Sequence, residues 1–173
     1  SGKLNICVIG IGRIGLPTAL SFANSGLPTI GVDINEKLVE MINSRNFPLN
    51  DEPGYDIIFD KVINENKFKA TTSFSEGVSS SDVIVLSLPT PMDEKNIPDY
   101  SSLLSIAKKL HDEISDGKLI IIESTVEPGF VENDFLKIIE GDDNKLKLGK
   151  NFALGVCPET ANPGQILNDF ERL

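Results

Sequence analysis

The sequence is poor in the residues that build metal sites and covalent scaffolds. It has two cysteines, Cys7 and Cys157, one histidine, His111, and no tryptophan. The cysteines stand in separate apolar runs with no CxxC pair and no Cys/His cluster. Neither a metal nor a disulfide framework is therefore expected, and a reducing cytoplasm is the expected compartment. Long apolar stretches are missing too. Runs such as Val83–Leu86 and Leu119–Ile122 fall far short of the roughly 18 residues that cross a bilayer, so no membrane association is expected. The first residues lack the basic start and apolar core of a secretory signal. Basic residues are in deficit: 16 Lys and Arg against 26 Asp and Glu leave a net charge of −10. Such a chain repels a phosphate backbone, which argues against nucleic acid as a partner. An anionic ligand must then be gripped by local geometry. The 14 glycines and 10 prolines are scattered, and no fixed-period repeat appears, which excludes fibrous, disordered and solenoid classes. A length of 173 residues fits one domain.

What is present is an alternation of short apolar runs with helical patterns. Leu4–Ile9 reads as a strand that breaks at Gly10, and Ile14–Ser25 carries helical spacing up to Gly26. Pro17 falls in the first helical turn, where its missing N–H costs little. Further strands are expected at Thr29–Asp33, Phe68–Thr72, Asp82–Leu88, Lys118–Glu123 and Phe152–Cys157, the last four of them buried. Helices are expected at Asn35–Asn43 and from Tyr55 to about Asn66, with a polar loop from Ser44 to Gly54 between them. Two more are expected, through Leu103, Ala107, Leu110 and Ile114 and over Val131–Ile139. Near-continuous apolar strands between amphipathic helices predict an α/β fold, a doubly wound, mostly parallel six-stranded Rossmann sheet with helices on both faces.

Gly10-Ile11-Gly12-Arg13-Ile14-Gly15 matches GxGxxG and sits between the first strand and first helix. In that position the first glycine permits the tight turn, the second lets a diphosphate approach the helix N-terminus, and the third lets helix and strand pack closely. Glycine-rich turns are common, so the context has to decide. Asp33 ends the second strand 23 residues after Gly10, where a carboxylate can accept both ribose hydroxyls of an adenosine. It would also repel a 2′-phosphate, and Ile34, Asn35 and Glu36 offer no arginine to receive one. NAD is therefore expected rather than NADP. Pro89-Thr90-Pro91, Glu123-Ser124-Thr125 and Cys157-Pro158-Glu159 follow the fourth, fifth and sixth strands, and ligands of open parallel sheets bind beyond such strand ends. Thr90 and Thr125 offer hydroxyls there. Glu159 offers a carboxylate that can act as general base or orient water. His111, among Lys108, Lys109 and Asp112, reads as a solvated side chain.

Taken together, GIGRIGLPTA, GVDIN, LPTPMDEKNIPDYS, IIESTVEPG and CPETANPGQILND resemble the UDP-glucose/GDP-mannose dehydrogenase family, in order and over essentially the whole chain. Pro158-Glu159 followed by Pro163-Gly164 resembles the branch acting on UDP-N-acetylhexosamines. The resemblance implies that residues 1–173 are the NAD-binding Rossmann domain of a longer protein whose central helical and C-terminal sugar-nucleotide domains are absent here. It implies cofactor contacts at Gly10, Ile11, Gly12, Arg13, Ile14, Gly15, Asp33, Thr90 and Thr125, catalysis at Glu159, and a substrate path along Thr160 and Ala161. The implied reaction is oxidation of the C6 hydroxyl of a UDP-sugar to the acid in two NAD-dependent steps, serving polysaccharide biosynthesis in the cytoplasm. UDP-N-acetylmannosamine is the expected substrate. The full-length protein is expected to be a homodimer and the isolated chain an inactive monomer. Thr160 stands where that branch usually has arginine, which keeps UDP-glucose and UDP-N-acetylglucosamine open. A stand-alone dinucleotide-binding module remains the reading from a different class.

Overall fold

Residues 4–143, 145–160 and 164–170 are described by a computed structural model. Six strands, β1 (Ile6–Ile9), β2 (Thr29–Val32), β3 (Phe68–Thr71), β4 (Val83–Leu86), β5 (Lys118–Ile122) and β6 (Phe152–Val156), pair in the order β3-β2-β1-β4-β5-β6. Every pairing is parallel. This is the doubly wound order, which reverses between β1 and β4 and opens a crevice at their carboxyl ends.

Alternation along the strands divides the core. Ile6 and Val8 of β1 face one side, with Val83 and Val85 of β4. They pack against Leu16 and Leu20 of α1 (Gly15–Asn24), Ile42 of α2 (Glu36–Asn43) and Phe59 of α3 (Tyr55–Asn64). Cys7, Ile9, Ile84 and Leu86 face the other side, under Val78 of α4 (Phe74–Ser79), Leu103 and Leu110 of α5 (Ser101–Glu113), and Ile139 of α6 (Leu136–Glu140). A period of two in each strand thus serves two helical layers.

The expected elements are present with shorter ends, and two short helices are additional. α4 begins at Ser73, whose hydroxyl accepts from Glu76 N, a serine and glutamate at the spacing of a capping box. Its six residues are too few to show a periodic stripe. α7 (Ile166–Phe170) places Ile166 in the α1/α3 layer. The helix expected over Val131–Ile139 opens as a π-helical segment, Val131–Phe135, before continuing as α6. The expectation of four buried strands holds for β4 and only in part elsewhere. β3 and β6 are the sheet edges, so Lys69 of β3 is exposed and, in β6, Phe152 alone is fully buried. His111 is not a solvated side chain: its Nδ1 lies 2.8 Å from the Ile139 carbonyl and ties α5 to α6. No helix among the described residues is long and apolar enough to cross a membrane.

Lys118, at the start of β5, is only 8% exposed. Its ammonium donates to the carbonyls of Val78 at 3.1 Å, Ser79 at 3.4 Å and Ser81, where a cation favourably meets the C-terminal end of α4. Lys118→Met keeps the stem and strands those carbonyls, so unfolding in urea is expected to show a loss of about 1–3 kcal/mol.

Candidate functional site

The β1–α1 turn is built by contact. Gly10 has φ of 86°, and a side chain there would press on the Ser87 carbonyl of the neighbouring strand end. A Cβ on Gly15 would strike the Gly10 carbonyl, so α1 meets β1 at backbone distance. At Gly12, by contrast, a Cβ would meet nothing within 4 Å, and the open space lies on the crevice side. Among the described residues, the backbone amides of Gly12, Arg13 and Ile14 have no acceptor. They stand at the N-terminal end of a ten-residue helix, a ready anion site of the kind a diphosphate occupies.

The crevice beside this turn encloses about 1070 Å³. At one end lies Asp33, whose Oδ2 accepts from Ile11 N at 3.0 Å and whose Oδ1 accepts from Asn35 N at 2.9 Å. The carboxylate is held in place with lone pairs to spare for two hydroxyls. Ile34, 92% exposed, joins Leu38, Phe74 and Ile106 in apolar walls suited to a purine. Lys109 crosses the Phe74 ring 5.6 Å from its centre.

At the other end are the exits of β4, β5 and β6. Thr90 donates to the Thr125 carbonyl at 3.0 Å, and Ser124 accepts from Leu88 N at 2.9 Å, so the first two exits are stitched together. Glu159 N donates to the Glu123 carbonyl at 3.3 Å, which joins the third. Thr90, Thr125 and Glu159 all line the crevice with Gly10, Gly12 and Asp33.

The remaining expected residues are placed differently. The Ile11 side chain is fully buried and presses on Gly31, so this residue offers the site its backbone alone. Arg13 lines the crevice while its guanidinium pairs with Asp51 at 2.6 Å and Glu52 at 3.3 Å. Glu52, 2% exposed, also accepts from Gly164 N at 2.8 Å, linking the glycine turn to the segment after Glu159. Thr160 is exposed, and Ala161 lies outside the described residues. Cys7 is fully buried in the core, where burial pushes its thiol up to about 12. Cys157 is exposed just beyond β6. No group of three potential ligands that could hold a metal occurs among the described residues.

Sequence reasoning did not single out Glu123, the acidic residue that follows the apolar run of β5. It is 9% exposed, and its Oε1 accepts from the Thr18 hydroxyl at 2.7 Å. Burial pushes the carboxyl above its usual range. The hydroxyls of Ser87 and Thr18 pull the other way, and the charge of Glu159 adds a smaller upward push.

Comparison with known proteins places the family and the fold. The profile of the UDP-glucose/GDP-mannose dehydrogenase family, NAD binding domain, matches residues 4–173. The chain belongs to this family. A UDP-N-acetyl-D-mannosamine dehydrogenase of Methanococcus maripaludis is 36% identical over 169 residues, which are 95% of this chain and 36% of that protein. Among solved structures, the UDP-D-ManNAc dehydrogenase of Pyrococcus horikoshii superposes with a TM-score of 0.87 at 33% identity, over 96% of this chain and 38% of that one. The GDP-mannose dehydrogenase of Pseudomonas aeruginosa gives 0.90 at 26%, also over 96% and 38%. The chain thus spans well under half the length of the relatives it matches. Its fold is the family's NAD-binding domain, and NAD is the cofactor.

Two outcomes follow from this site. Because Asp33 puts a carboxylate at one end of the crevice, the chain is expected to bind NAD at least tenfold tighter than NADP, about 1.4 kcal/mol, in calorimetry. Asp33→Ala should weaken NAD and narrow that gap. Glu123 binds its proton more tightly in the folded state than the ordinary value of 4.5. Its contribution to stability is therefore full below pH 4.5 and is lost as pH rises through the raised value. In melting curves across pH, Glu123→Gln should gain on the parent as pH climbs above 4.5.

Proposed function

We propose that the chain is the cofactor domain of a nucleotide-sugar 6-dehydrogenase that oxidises the C6 hydroxyl of UDP-N-acetylmannosamine to the acid in two NAD-dependent steps. The observation that carries this reading is the convergence of Thr90, Thr125 and Glu159, from three strand exits, on the crevice that begins at the glycine turn and Asp33. The names of the relatives and the Pro158-Glu159 and Pro163-Gly164 pattern support the choice of sugar nucleotide.

In this reading Asp33 takes the adenosine ribose, and the amides of Gly12, Arg13 and Ile14 take the diphosphate. Thr90 and Thr125 steady the ribose at the far end. NAD, when bound, supplies the hydride acceptor. Alcohol to carboxylate removes two hydrides in succession and adds one oxygen from water. Protons are released as it does so, and Glu159 is the carboxylate placed to accept them directly or through water. Thr160 and Ala161 run along the sugar nucleotide. Holding the intermediate aldehyde on a thiolate falls to residues outside this chain. Cys7 is buried with a thiol that stays protonated, and Cys157 precedes the Pro-Glu turn as a strand-end residue. Homodimerisation likewise rests on the remainder of the protein.

The test compares this chain with a longer protein matching the full length of its relatives. The chain alone should bind NAD and form no NADH from UDP-N-acetylmannosamine, while the longer protein forms it. Glu159→Gln in the longer protein should lower turnover about 10²- to 10⁴-fold and leave NAD affinity intact. NADH made by the chain alone would move the chemistry into it, and full turnover by Glu159→Gln would leave Glu159 a structural part. Running UDP-glucose and UDP-N-acetylglucosamine beside it ranks the alternatives that Thr160 keeps open.

A further inference from the structure

Glu123 is built into the crevice in a half-satisfied state. Its Oε1 is occupied by the Thr18 hydroxyl at 2.7 Å, from the second half-turn of α1 beyond the glycine turn. Its Oε2 is buried and has no hydrogen-bond partner among the described residues. The residue is nine-tenths buried, yet it forms part of the crevice wall between Ser87 and Glu159. A buried carboxyl oxygen without a partner costs stability, and a ligand group that completes it recovers that cost.

Position in the sheet says which part of the ligand reaches it. β5 is three strands from β2, about 14 Å at the usual strand spacing, with the glycine turn in between. A dinucleotide with its adenosine at Asp33 and its diphosphate at Gly12 lays its other end over β4 and β5. The ring at that end carries one polar substituent, a carboxamide, which both donates and accepts. Of the hydroxyls nearby, two are committed elsewhere and that of Ser87 acts on the Glu123 carboxyl itself. Ser124 accepts from Leu88 N and donates to the Leu86 carbonyl, and the Thr90 hydroxyl is given to Thr125.

We propose that Glu123 is a positioning residue for the nicotinamide ring, its Oε2 hydrogen-bonding the ring carboxamide. The amide complements the carboxyl in either protonation state, by donating to its oxygen or by accepting its proton. The Glu159 N–H bond to the Glu123 carbonyl fixes the two residues relative to each other, so the group that orients the ring and the group that handles protons share one frame. This rests on the reading of the β4, β5 and β6 exits as the nicotinamide end.

The test measures binding of NAD and of ADP-ribose, which lacks the ring, by calorimetry on the chain and two variants. Glu123→Met should lower NAD affinity roughly tenfold and leave ADP-ribose affinity within about twofold, the loss of one buried hydrogen bond to the ring. Glu123→Gln, which keeps an amide able to pair with the carboxamide, should restore NAD binding. Parallel loss of both ligands in Glu123→Met would make Glu123 a structural support and overturn the proposal. Unchanged NAD affinity in Glu123→Met would overturn it as well. A parent chain that binds neither ligand would overturn the reading of the crevice itself.

Discussion

The close approach of α1 to β1 through Gly10 and Gly15 is the constraint on which the rest depends. With a side chain at either glycine, the helix would have to back away from the strand end, because the atoms in the way are backbone carbonyls rather than flexible side chains. Holding the helix there aims the amides of Gly12, Arg13 and Ile14 at the crevice. It also brings Thr18 within reach of Glu123 across the sheet, and Ile11 under Gly31. One backbone contact therefore sets the anion site, the acidic partner at the far end and the packing of β2.

This arrangement answers how a chain of net charge −10 holds an anionic dinucleotide. In the proposed reading the attraction is local and comes from oriented peptide dipoles, where no lysine is needed. Arg13, the cation nearest the turn, is already paired with Asp51 and Glu52. The acidic surface does not oppose binding strongly, since exposed charges beyond about 8–10 Å are screened at ordinary ionic strength.

Much of this was legible in the sequence where the signal was local. The glycine spacing, Asp33 at a strand end, and the polar residues at the exits of β4, β5 and β6 all belong to short contiguous patterns, and the structure gathers them in one crevice. What was not legible depends on distant partners or on too few residues. Thr18 and Glu123 are 105 positions apart, and nothing near either foretells the bond. α4 is too short for a stripe, although Ser73 and Glu76 carried its capping signal. The burial of Glu52 comes from Gly164 and Arg13, each distant in sequence. The exposure of β3 and β6 followed from strand order, which composition does not encode.

The two edges of the sheet differ in kind. β3 carries Lys69, whose ammonium reaches Glu76 at 2.7 Å, so its rim is charged and discourages another strand. β6 reads Phe-Ala-Leu-Gly-Val without a charge, and Val156 at its end is 46% exposed. An uncharged rim with open peptide groups is a template for strand addition. The start of β6 is covered, since Leu148 bridges to Phe152 and Gly149 N donates to the Phe152 carbonyl at 2.8 Å, so among the described residues the stretch from Ala153 to Val156 is where an added strand would pair.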